Sequence, residues 1–165
     1  MRQLEIGTLG AVLALVAMLA VTPSAVAQET HAATLNAIKE IPICFSGGNG
    51  TFTATIPDEA TINFELTYQN ISPNVMFAHI HFGRPLQAGG VATFLCGGGT
   101  KPTACPPSQG TVTGTIVAAD IVGPANQGIA PGEFAELLAA LRSGLTYANV
   151  HSDICPGGEI RGQIR

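Results

Sequence analysis

Short segments in which apolar and polar residues alternate recur along this chain, and they restrict its fold more than any other feature. A period of two turns one face of a strand toward a core and the other away from it. Residues 51–56 alternate threonines with Phe52, Ala54 and Ile56. Residues 61–68 set Ile62, Phe64, Leu66 and Tyr68 on one face, and 111–117 set Val112, Gly114 and Ile116 against threonines. Further strands are expected at 34–38, 75–82, 91–95, 146–151 and 158–164. Turn formers separate them: Pro57-Asp58-Glu59, the 70–74 loop with Pro73, and a Gly/Pro-rich stretch at 97–108. One segment breaks the pattern. Phe134, Leu137, Leu138 and Leu141 recur at helical spacing, with Pro131 before them and Gly144 after. The expected fold class is all-β: an antiparallel β-sandwich or open barrel with one short helical crossover.

The amino terminus reads as a secretory signal peptide over residues 1–27. Arg2 precedes an apolar run from Leu9 to Val21, which is followed by the small-residue site Ala25-Val26-Ala27. That run is too short to cross a bilayer as a helix, for which roughly 20 apolar residues are needed. The mature chain then starts at Gln28 as one domain, 28–165, secreted or periplasmic and not membrane-spanning. Its first residues, 28–32, are expected to be a mobile start with His31 solvated. Charged residues make up only 11% of the chain and the net charge is −4. No basic stripe exists for a nucleic acid to bind.

Four cysteines, Cys44, Cys96, Cys105 and Cys155, in an exported chain imply two disulfides. Cys96 and Cys105 flank the Gly/Pro-rich loop, which favours that pair and leaves Cys44 with Cys155. No C-x-x-C pair is present to suggest a zinc-thiolate site.

Three of the four histidines fall on alternating segments. In Ala78-His79-Ile80-His81-Phe82 the apolar residues face the core, so His79 and His81 share the opposite face. In the later segment Val150 faces inward, while Tyr147, Asn149 and His151 face away. At the end of the chain Ile160 and Ile164 face inward, opposite Glu159, Arg161 and Gln163. If these strands are neighbours, His79, His81 and His151 converge. Three imidazoles suit copper or zinc, with Asn149, Glu159 and Arg161 as outer partners. The same residues could instead form a structural hydrogen-bond network, and spacing alone leaves both readings open. A salt bridge from Glu159 to Arg161 or to loop groups is expected. No nucleophile elbow, phosphate loop or carboxylate pair points to a catalytic residue.

The motifs AHIHFG (78–83), YANVHS (147–152) and PGGEIRGQI (156–164) together resemble the CHRD domain family, first named from chordin. The resemblance extends over the mature chain. It implies a non-catalytic binding or interaction module with an unknown protein or surface ligand as partner. AHIHFG is also similar, locally, to the copper-binding segment of copper/zinc superoxide dismutases. On that likeness His79 and His81 match two copper ligands and His151 a third, which implies copper as a cofactor and a redox-active alternative. The bridging histidine and the zinc ligands of that family have no counterpart here. The expected architecture is accordingly superoxide-dismutase-like or immunoglobulin-like.

Overall fold

The computed structural model describes residues 28–165; the signal segment expected over 1–27 lies outside them. Eight strands form one antiparallel sheet: β1 (Glu29–Asn36), β2 (Asn49–Asp58), β3 (Thr61–Gln69), β4 (Val75–Phe82), β5 (Gly90–Cys96), β6 (Gly110–Ile116), β7 (Thr146–Ser152) and β8 (Ile160–Gln163). Their order is β5-β4-β7-β8-β1-β2-β3-β6. The sheet curls into a nearly closed barrel, so the all-β expectation holds, as a barrel and not a two-sheet sandwich. Near-closure protects the strand edges that would otherwise seek another chain.

The alternating residues build the core. Phe52, Ala54, Ile62, Leu66, Tyr68, Ala78, Ile80, Ala148, Val150, Ile160 and Ile164 are buried. The helix α1 (Phe134–Arg142) connects edge strand β6 to interior strand β7. Its stripe of Phe134, Leu137, Leu138 and Leu141 joins the same cluster. Among the described residues, no helix is long and apolar enough to cross a membrane.

The first strand corrects one expectation. Residues 29–32 are not a loose start: they pair with β2 from Glu29↔Ile56 through Asn36↔Asn49. His31 is half-buried and contacts Glu29 at 2.8 Å. Glu29 in turn accepts hydrogen bonds from Arg142 at the end of α1. The segment Thr30-His31-Ala32-Ala33 carries little strand signal of its own. Its conformation comes from its long-range partner, a common way for tertiary context to override propensity.

Disulfides join Cys44 to Cys155 and Cys96 to Cys105. The second closes the loop after β5. The first ties the 37–48 connection to the 153–159 turn. Ile43, Phe45 and Ile154, which flank it, are exposed.

Candidate metal centre

Strand β7 decides where the site lies. Every one of its residues, Thr146–Ser152, is buried. Ala148 and Val150 face the barrel core, as alternation requires. Tyr147, Asn149 and His151 therefore point away from it, yet they are covered too. Three loops and two rings roof that outer face. Pro156 and Gly89 bring carbonyls to it, Glu40 brings a carboxylate, and Phe77 and Phe94 pack their rings against His79.

Antiparallel pairing sets the convergence. Across β4 and β7, Phe77 lies opposite His151, His79 opposite Asn149 and His81 opposite Tyr147. Across β7 and β8, Asn149 lies opposite Arg161. Side chains at directly paired positions on one face approach to about 5 Å at Cβ. His79, His81 and His151 accordingly form one cluster, in which one ligand nitrogen from each ring lies within 4.8 Å of the others. All three are buried.

Hydrogen bonds fix two of the tautomers. His151 Nδ1–H donates to the Pro156 carbonyl at 2.9 Å. His81 Nδ1–H donates to the Gly89 carbonyl at 3.0 Å. Each ring then carries its lone pair on Nε2. This is how backbone carbonyls orient histidine ligands in metal sites. Gly89 can approach so closely because it has no side chain; a Cβ there would collide with the Phe82 carbonyl. His79 Nδ1 stands 3.2 Å from His151 Nε2. Two nitrogens bound tetrahedrally to one ion at 2.0–2.1 Å lie about 3.3 Å apart. The Nε2 atoms of His79 and His81 are buried without any hydrogen-bond partner.

Electrostatics keep the lone pairs free. Burial, reinforced by the neighbouring imidazoles of His151 and His81, holds His79 down at about 3. Burial holds His81 down at about 4, against the pull of the Gly89 carbonyl. Burial also lowers His151. All three rings are thus neutral at neutral pH, which is the form that binds metal. The donor set therefore fits a transition ion: three neutral imidazoles, two oriented by carbonyls, with one ligand nitrogen from each ring within 4.8 Å of the others.

The remaining candidates separate. Asn149 belongs to the cluster, and its amide donates to Glu40. Arg161 lies one strand further out. Its guanidinium carbon sits 3.4 Å from the Tyr147 ring centroid, and Tyr147 stacks on His81 with 4.8 Å between centroids. Its Nη2 donates to the Arg84 carbonyl. Glu159 is not part of the centre. It precedes β8, is fully buried, and accepts the Ser72 amide at 3.1 Å. Of the two arrangements expected for Glu159 and Arg161, a mutual ion pair or contacts to loop groups, the second is found: each side chain binds a different loop.

Sequence reasoning missed Glu40, Phe77 and Phe94. Glu40 is only 4% exposed, and burial raises its carboxyl above the usual range. Gly158 makes room for it, since a Cβ there would meet both the Glu40 carboxylate and the Asn149 amide. The available signal for Glu40 was its place four residues before Cys44, the partner of Cys155 in the motif-bearing turn.

Among curated proteins no match is found. The family model described as the CHRD domain matches residues 31–164. That span holds all eight strands, nearly from the first residue of β1, together with the helix and every residue of the histidine cluster. The chain therefore belongs to the CHRD domain family.

Proposed function

We propose that this protein is an exported, non-catalytic binding domain whose three-histidine centre holds one transition-metal ion. One observation carries the reading: the buried Nε2 of His81 has no hydrogen-bond partner among the described residues, beside a His79 Nδ1–His151 Nε2 contact at ligand-to-ligand distance. Leaving such an acceptor buried and unpaired costs about 1–3 kcal/mol. A structural network would have satisfied it, whereas a bound ion uses its lone pair. Imidazole suits both copper and zinc, and the ion would be held in a closed pocket roofed by Phe77, Phe94 and the Gly89 and Pro156 loops. Enclosure of this kind favours tight binding over redox turnover, because a substrate needs an open coordination position. Export rests on the signal segment expected over 1–27, and the two disulfides suit an oxidising compartment.

The test is metal loading of purified protein stripped with a chelator. After dialysis against Cu²⁺ or Zn²⁺, elemental analysis is expected to find one ion per chain. The His79→Ala/His81→Ala variant is expected to retain none while keeping the far-UV circular dichroism of the barrel. A folded wild-type protein that retains neither ion would refute the reading.

A further inference from the structure

Asn149 is satisfied at one end of its amide and not at the other. Its Nδ2 donates to the Glu40 carboxylate and to the Ile160 carbonyl at 3.4 Å. The Ile160 carbonyl has no proton to give, so it fixes which end of the amide faces it. The carbonyl oxygen Oδ1 must then point the other way, and it is buried with no hydrogen-bond partner. That way lies the histidine cluster: Asn149 pairs directly with His79 across the strands, and its amide stands within reach of His81.

The two unpaired atoms cannot satisfy each other. His81 has spent its proton on Gly89, so its Nε2 is an acceptor, and Asn149 Oδ1 is an acceptor as well. Two buried acceptors on one small site call for a cation between them. We infer that Asn149 Oδ1 is a fourth ligand, completing an N₃O set with His79, His81 and His151 for a tetrahedral divalent ion of the zinc type. This rests on the metal-binding reading above and narrows it. A hard carbonyl oxygen suits a dication; cuprous copper, a soft ion, gains little from it. Cupric copper prefers a tetragonal plane. Selectivity therefore comes from geometry, since raw affinity alone would favour copper. The Glu40 carboxylate orients the amide in the way outer carboxylates orient ligating groups.

Two measurements on purified, chelator-stripped protein test this. In wild-type protein, one equivalent of Zn²⁺ is expected to move the Asn149 side-chain carbonyl ¹³C resonance downfield together with the three imidazole signals. In Asn149→Ala, zinc affinity is expected to fall on the order of 100-fold, at or above the 10–100-fold loss typical of outer-shell changes. The wild-type spectrum needs no variant, so a poorly folded Asn149→Ala protein leaves the first measurement decisive. Imidazole signals that move while the Asn149 carbonyl stays still would overturn the ligand assignment and leave three-histidine binding standing. Folded Asn149→Ala that binds zinc within about threefold of wild type would do the same. Wild-type protein that binds no zinc overturns this inference, and if it binds no copper either the underlying reading falls too.

Discussion

Replacing Cys44 and Cys155 by serine is expected to lower the unfolding free energy by about 5 kcal/mol, the largest loss from any pair of substitutions considered. The two residues are 111 positions apart. In the chain-entropy account, a cross-link of that span removes far more freedom from the unfolded chain than a short one. The Cys96–Cys105 bridge spans 9 positions, and its removal is expected to cost about 2.7 kcal/mol. Whole-domain stability is commonly 5–15 kcal/mol, so loss of the long bridge puts folding itself at risk. The long bridge also has a local consequence. It clamps the 37–48 connection, which carries Glu40, to the 153–159 turn, which carries the Pro156 carbonyl that orients His151. Urea unfolding of the two serine double variants checks the ranking. A greater loss from Cys96→Ser/Cys105→Ser than from Cys44→Ser/Cys155→Ser would contradict it.

Metal-free protein is expected to lose about 2.5 kcal/mol of stability between pH 7 and pH 5.5 through His79 and His81 alone. An unconstrained histidine titrates at 6.5, whereas His79 is held at about 3, His81 at about 4, and His151 below its ordinary value. In this window the unfolded chain takes up protons at His79 and His81 that the folded chain does not, and His151 acts in the same direction. Stability therefore rises with pH, is fully present above about 6.5, and is lost as pH falls toward the folded values. His79 and His81 each contribute about 1.3 kcal/mol over that interval. Glu40 acts in the opposite sense. Its raised carboxyl holds a proton to higher pH when folded, so its contribution grows as pH falls. It is one group against three. The surface carboxylates Glu29 and Glu59, lowered by Arg142, act only in more acid solution. Urea midpoints in chelator at the two pH values provide the check. A flat profile over this range would show that the rings are not buried neutral.

Much of the barrel was legible because its strands are half-core. In β3 the apolar set Ile62, Phe64, Leu66 and Tyr68 is the buried set. In β4 and β7, alternation placed His79, His81 and His151 on one side, and pairing of the two strands then brought them together. What the sequence did not disclose is that this side is covered. Its cover consists of loops, and loops have no periodicity to read. Glu40, the Gly89 carbonyl and the Pro156 carbonyl reach the site through backbone turns and a disulfide. Glu159 was misplaced for a related reason. Alternation grouped it with Arg161, but β8 begins at Ile160, and in the turn before it Glu159 swings to the Ser72 amide. β1 was begun too late because its first residues gain their conformation from β2.

The claim that three imidazoles share one ion is most directly tested by X-ray absorption at the metal edge of the loaded protein. A single shell of nitrogen and oxygen scatterers at about 2.0–2.1 Å is expected, with the outer-shell pattern of three imidazole rings. A shell with one imidazole or none, or one containing sulfur, would contradict it.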